Sequence, residues 1–226
     1  MDQLPVSANL ARIQSVVAAS AGRVGRDPDG ITLVAVTKGM AAERVREGIG
    51  AGLKTLGENR IQEALPKIEE VGAAGIEWHL IGHLQRNKTR FIEGNFQMVQ
   101  SIDSLELLEA LDRRLTNSLE VLIEVNVADE PQKTGATTSS VLEIARATIG
   151  TRHLRLRGLM TIAPQSPHPE LARPVFKRLA SVSRELAERL QVPLPVLSMG
   201  MTDDYAVAVE EGSTMLRLGR AIFGSR

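Results

Sequence analysis

The chain alternates between short, apolar, β-branched runs and amphipathic helical stretches, about eight times over. Few folds admit that pattern. Strands separated by helices pair in parallel through right-handed crossovers, and the resulting sheet is buried on both faces. The strand-like runs cover residues 31–38, 55–56, 76–81, 96–99, 119–125, 154–160, 196–197 and 215–218. Helical patterns lie at 41–51, 61–71, 104–115, 139–149 and 170–190, and the stretch after Asn87 is shorter and weaker. Ahead of them, Leu10, Ile13, Val17 and Val24 mark one face of an extra N-terminal helix, which the stretch from Gly25 to Gly30 breaks. Eight units predict an α/β fold: a closed (β/α)8 barrel of TIM type, read as a single domain over residues 1–226. The alternative is an open doubly wound sheet. It is disfavoured because no G-x-G-x-x-G follows the first run, and no Pro/Ser-rich linker divides the chain.

Composition narrows the chemistry. Aromatic residues make up 3%, so the core is built from Leu, Ile, Val, Ala and Met. The absence of cysteine excludes disulfides, thiolate nucleophiles and Cys-based metal sites. Lys+Arg and Asp+Glu both number 27, which argues against a general nucleic-acid binder. The first residues lack the basic and apolar regions of a signal peptide. No apolar run approaches the ~20 residues of a membrane span. The expectation is a cytoplasmic protein with no membrane attachment.

A barrel places its active site at the C-terminal ends of its strands. Here those ends carry Lys38, Glu58-Asn59, Gly82-His83, Ser101, Asn126, Met160-Thr161, Ser198-Met199-Gly200 and Arg217-Leu218-Gly219. Lys38 closes an apolar strand, so its amine is expected in the barrel mouth and partly desolvated, the state in which lysines form Schiff bases. The same position also suits a lysine that reaches into solvent. The segments after the seventh and eighth runs, from Ser198 to Asp204 and from Arg217 to Arg220, stand where barrels bind phosphate. Gly200 and Gly219 let backbone N–H groups approach an anion, Ser198 adds a hydroxyl, and Thr202, Asp203 or Asp204 suits a helix cap. Arg217 lies among apolar neighbours and needs a partner: a core carboxylate such as Glu124, or a ligand. His79 and His83 fall on a strand about 13 Å apart, too far to share a metal ion. The basic segment from Gln85 to Arg90 reads as a phosphate-binding surface or a solvated helix start. Residues 129–135, with Lys133, read as an exposed loop.

The motifs together resemble a known family, the pyridoxal phosphate (PLP) homeostasis proteins of the YggS/PROSC type. The matching pieces are Val34-Ala35-Val36-Thr37-Lys38, Gly57-Glu58-Asn59-Arg60-Ile61-Gln62-Glu63, the stretch from Trp78 to Lys88, Gly158-Leu159-Met160-Thr161-Ile162-Ala163, the stretch from Leu197 to Asp204, and the stretch from Arg217 to Gly224. They run in family order over nearly the whole chain. The resemblance implies the barrel of alanine racemase, a fold-type III PLP-protein barrel, without that enzyme's second domain. It implies PLP as cofactor, held as an aldimine on Lys38. Ser198, Gly200, Gly219 and Arg220 hold the phosphate in that scheme, with Met199 between them. Asn59 lies beside the cofactor and Arg217 faces the pyridine nitrogen. Positions 60 and 220, often Tyr and Thr in the family, are Arg here, which adds cations and puts the hydroxyl contact at 220 in doubt. The implied function is intracellular PLP homeostasis by a monomeric carrier or buffer that passes cofactor to apo-enzymes without substantial catalysis. The alternatives are an amino-acid racemase and a Schiff-base aldolase. The racemase is disfavoured because a second base is missing: the only tyrosine, Tyr205, sits at an expected helix start, and the chain leaves no room for a further domain after the eighth strand.

Overall fold

A computed structural model describes residues 5–72, 74–127 and 134–224. The eight runs become β1 (Thr32–Val36), β2 (Thr55–Glu58), β3 (Glu77–Leu80), β4 (Met98–Ile102), β5 (Leu119–Glu124), β6 (Leu154–Met160), β7 (Val196–Ser198) and β8 (Met215–Leu218). All pair in parallel and in sequence order, and β1 pairs with β8 to close the barrel. Thr32, Leu33, Val34 and Ala35 stand opposite Met215, Leu216, Arg217 and Leu218 across that seam. The open-sheet alternative is thereby excluded. The expected loop at 129–135 falls mostly outside the described residues, Lys133 included.

The alternation of side chains sorts residues into two layers. Val34, Val36, Ile81, Met98, Leu122, Met160 and Met215 form one apolar cluster inside the barrel. Their neighbours in sequence, such as Ala35, Leu80, Val121, Ile123, Leu159 and Leu216, join a larger layer between strands and helices. That layer is covered by α1 (Val6–Arg23), α2 (Ala42–Gly50), α3 (Ile61–Val71), α4 (Leu105–Asp112), α5 (Val141–Ile149), α6 (Arg173–Leu190), α7 (Tyr205–Glu210) and α8 (Arg220–Phe223). In α1, Val6, Leu10, Ile13, Val17 and Ala21 recur every three or four residues and are buried, so the helix lies flat on its apolar stripe. It packs on α7 and α8, and Asn9 Nδ2 donates to Ile222 O at 3.0 Å. The weak pattern after Asn87 has a physical counterpart. The β3–β4 crossover is a six-residue 3₁₀ helix, Arg86–Phe91, too short to show an α-helical period.

The weakest wall is around β7, which has three residues and one register pair with β8. It is held from the other side by β6, where Gly158 stands opposite Val196 beside a register shift between Val121 and Leu122. A Cβ on Gly158 would lie 1.8 Å from Val196 O and 2.7 Å from its carbonyl carbon, so only glycine lets the strands approach. Gly158→Ala is expected to lower unfolding free energy by about 3 kcal/mol or more in urea titrations. In Gly150→Ala the new Cβ meets nothing nearer than 3.4 Å, and the change stays within about 0.5 kcal/mol. Equal effects at the two positions would remove the close-approach argument.

Candidate functional site in the barrel mouth

Strand β1 ends at Val36, two residues before the lysine expected to close it, so Lys38 lies in the turn beyond. Val34 and Val36 face the interior, and the same alternation brings position 38 to the mouth. The side chain is exposed rather than partly desolvated. The backbone around it is tied down from below. Lys67 Nζ donates to Thr37 O at 2.6 Å and to Glu58 Oε1 at 2.5 Å. Thr37 Oγ1 donates to the same carboxylate oxygen at 2.6 Å, and the Gly39 N–H donates to Glu63 Oε1. Glu58 is fully buried, and burial pushes its carboxyl above the usual range while Lys67 and Thr37 pull it back.

Inside the barrel a polar chain runs between strands. Arg217 on β8 is 4% exposed and donates through Nη1 to Ser198 Oγ at 2.7 Å and through Nη2 to Thr161 O at 2.8 Å. Ser198 Oγ donates to Gln100 Oε1 at 2.6 Å, and Gln100 Nε2 meets His79 Nδ1 at 3.0 Å. An amide N–H₂ facing Nδ1 requires that nitrogen to accept, which leaves the proton on Nε2. Burial of His79 lowers its pKa to about 4, in keeping with a neutral ring. Arg217 makes no ion pair within 4 Å among the described residues. Burial lowers its pKa to about 10, while Glu124 and Asp204 in its surroundings oppose the shift. Glu124 is itself buried, raised by that burial, and bonded by Thr134 Oγ1 at 2.8 Å. The core partnership considered for Arg217 and Glu124 is therefore through space and not a hydrogen-bonded pair.

The loops after β7 and β8 meet at the start of α8. Thr202 Oγ1 accepts from Ala221 N at 3.3 Å and keeps its own hydrogen to donate. The first amides of a helix have no partner within it, so Gly219 and Arg220 bring backbone donors to the same place. Gly200 holds φ +95°, and a Cβ there would meet Ala208 Cβ at 2.5 Å and Leu216 Cδ2 at 2.9 Å. Asp204 precedes α7, and its carboxylate accepts from Met201 N at 2.6 Å. Burial raises that carboxyl, and the Met201 amide and Arg217 draw it down. Arg220 Nη2 pairs with Asp203 Oδ2 at 2.5 Å on the surface, so its guanidinium is already engaged.

Two residues expected at the cofactor, Ser198 and Met199, are committed to other partners in this structure. Ser198 is fully buried and its hydroxyl is consumed between Arg217 and Gln100. Met199 N donates to Met215 O at 3.1 Å, and its side chain belongs to the outer core. Ser198 is the last residue of β7 and its hydroxyl joins the axial row, whereas Met199 packs into the layer under the helices. Thr202, read from the sequence only as a cap, places a hydroxyl at the start of α8. The signal was present: a hydroxyl residue two positions after the turn glycine.

On the far side of the mouth, Asn59 follows β2 with its Oδ1 buried and without a partner. It lines a cleft of about 590 Å³ with Arg60, Gln62, Gly82, His83, Gln85 and Lys88. The close approach of Gly82 to Asn59, where a Cβ would meet Asn59 O at 2.3 Å, fixes that corner. His83 is half exposed, 3.4 Å from Asp103 Oδ2. His79 points into the barrel instead, so the two histidines occupy different environments.

Residues 8–226 match the model of the alanine racemase N-terminal domain. The pyridoxal phosphate homeostasis protein of Escherichia coli K12 is 40% identical over 98% of this chain and 97% of its own length. That of Aquifex aeolicus is 38% identical, over 96% of each. This chain belongs to the pyridoxal phosphate homeostasis protein family. Among solved structures, the Synechococcus elongatus member PipY, described with PLP bound, superposes with a TM-score of 0.85 at 32% identity, covering 97% of this chain and all of that one. Alanine racemase from Corynebacterium glutamicum shares the fold at TM-score 0.71 and 16% identity, over 96% of this chain and 60% of the enzyme. The family barrel is thus the frame on which this chain's own mouth residues are mounted.

The neutral state of His79 has a consequence for stability. The folded pKa of about 4 lies below the ordinary 6.5, so the unfolded chain binds the extra proton first. The stabilisation is complete above pH 6.5 and is lost as pH falls toward 4, by on the order of 3 kcal/mol. His79→Gln should flatten that part of the urea-unfolding profile relative to the wild type. An unchanged slope between pH 4 and 6.5 would remove His79 as its source.

Proposed function

We propose that this chain binds PLP in the barrel mouth, with Lys38 as covalent anchor, and acts as a carrier or buffer of the cofactor. The observation that carries the reading is the convergence across the β8–β1 seam of three features. They are an exposed lysine just past a strand end, a buried arginine without an ion-pair partner, and a cradle of glycine turn, hydroxyl and helix start. The homeostasis-protein relatives and the PLP-bound PipY structure support it.

The donor set fits the group. Thr202 Oγ1 and the backbone N–H groups at Gly219 and Arg220 suit a phosphate, and Gly200 gives the neighbouring turn its positive φ while packing against Ala208 and Leu216. Arg220 serves through its backbone, its guanidinium being held by Asp203. Asn59 brings an acceptor that no protein group uses. Arg217 offers a fixed cation to the ring nitrogen, and Ser198, Gln100 and His79 hold it in place. Bound PLP would supply an aldehyde, and Lys38 would supply the amine that condenses with it, with water as the leaving group. The anchor is tested by incubating the protein with PLP, reducing with borohydride and mapping the pyridoxyl mass. It should fall on the Lys38 peptide and vanish in Lys38→Ala, which keeps the wild-type fold because the side chain is exposed. Label confined to Lys88 or Lys133 would refute the anchor.

The same reading assigns no substantial racemase or transaminase activity. A cation beside the pyridine nitrogen opposes its protonation and weakens the electron sink such chemistry needs. Two-base racemisation also needs a group on each face of the substrate carbon. Tyr205 is half-buried at the start of α7, packed against the core, with its hydroxyl pKa raised by burial. PLP-loaded protein with L-alanine in deuterated water should show neither D-alanine nor α-proton exchange. Turnover near the enzyme-typical ~10 s⁻¹, lost in Lys38→Ala, would instead establish a racemase. No helix among the described residues is long and apolar enough to cross a membrane. A cytoplasmic monomer, folded as one unit and serving apo-enzymes, completes the reading.

A further inference from the structure

The geometry points to Lys67, Glu58 and Glu63 as positioning residues for Lys38, acting through the peptide units on either side of it. The inference rests on the reading of Lys38 as the cofactor's anchor. Lys67 lies on α3 among Ile61, Ala64 and Ile68, on the buried face of the helix, and its side chain is 7% exposed. A lysine there has to be compensated, and Glu58, 0% exposed, does so at 2.5 Å. The pair does more than neutralise itself. Lys67 spends a second donor on Thr37 O, and Glu58 accepts from Thr37 Oγ1. Thr37 N donates to Gly57 O at 2.9 Å, so residue 37 is held through its amide, carbonyl and hydroxyl. On the other side, Glu63 accepts from the Gly39 N–H and stands 3.5 Å from Lys67 Nζ.

Position 38 therefore sits between two peptide units gripped by one charge cluster. β1 has ended by then and the ladder no longer fixes the backbone. Gly39 has φ +69°, and the turn is closed by one backbone bond, Met40 N to Thr37 O at 3.0 Å, onto the same carbonyl that Lys67 holds. A flexible side chain on a loosely held turn would sample many directions, and an amine must approach a carbonyl carbon along a narrow range of them. The cluster stores this orientation in the protein before any ligand arrives.

The test separates orientation from binding. PLP forms a bond with Lys38, whereas pyridoxine 5′-phosphate carries an alcohol in place of the aldehyde and binds only non-covalently. Glu63→Ala removes the acceptor of the Gly39 N–H from a side chain that is 35% exposed, so the fold tolerates it. Glu63→Gln retains a carbonyl acceptor, and Lys67→Met removes the buried cation. In stopped-flow absorbance, Lys38 adduct formation should slow about tenfold in Glu63→Ala and at least as much in Lys67→Met. Glu63→Gln should stay within about threefold of wild type, because the hydrogen bond survives without its charge. The dissociation constant of pyridoxine 5′-phosphate should remain within about twofold of wild type throughout. A parallel loss of pyridoxine 5′-phosphate affinity would make the cluster a support of the whole mouth and overturn the inference, as would unaltered rates in Glu63→Ala. Wild-type protein that binds pyridoxine 5′-phosphate but never forms the Lys38 adduct would overturn the anchor reading itself. If Lys67→Met does not fold, the two Glu63 variants decide the matter alone.

Discussion

A closed parallel barrel must fill its own axis, and everything at the mouth of this one depends on how that filling is done. Part is apolar: Val34, Val36, Ile81, Met98, Leu122, Met160 and Met215. Set among them is a hydrogen-bonded row of Arg217, Ser198, Gln100 and His79. Burying a guanidinium costs several kcal/mol unless its donors are met. Here they are met by a hydroxyl and a backbone carbonyl, not by a carboxylate. The row thus leaves the positive charge uncancelled at short range, with Glu124 and Asp204 acting only through space. A cation held in that state is preorganised, because its hydrogen bonds fix its orientation before any ligand arrives.

A second buried charge cluster lies on the opposite side of the strand wall. Lys67 and Glu58 sit between β2 and α3, in the layer that barrels of this kind fill with aliphatic side chains. Hydrophobic replacement of such a pair is commonly neutral or stabilising, so the pair is weak evidence for stability and stronger evidence for a geometric task. One buried cluster therefore faces the axis and the other faces the helices, and the turn at Lys38 lies at the rim between them.

The fold was legible because its signal is repetition. Eight apolar runs with helices between them specify a parallel sheet, and only closure leaves no edge strand. Individual side chains at the mouth were less legible. Alternation distinguishes the inner from the outer side of a strand, but depth along the axis depends on strand tilt and stagger, which no local pattern encodes. Ser198 was for that reason expected at the rim and lies inside, with its hydroxyl committed to Arg217 and Gln100. The expected desolvation of Lys38 failed for a related reason: β1 stops two residues early and leaves the lysine in the open turn. Lys67 shows the reverse case. A lysine three residues after Ala64 and six after Ile61, on the apolar face of α3, was a readable anomaly pointing to a buried partner.

The seam between β1 and β8 joins residues nearly the whole chain apart: Val34 stands opposite Arg217. Lys38 is synthesised long before Arg217, Gly219 and Arg220. No shorter piece of the chain can bring them together, and the loop that must close between them is among the longest the sequence allows. Ring closure and assembly of the mouth are therefore one event. A nascent or partly unfolded chain exposes the same lysine as an ordinary surface amine, without the cradle or the buried arginine. Occupancy of the mouth then reports that the ring is complete, and a ligand that binds only the closed ring stabilises it over every open form.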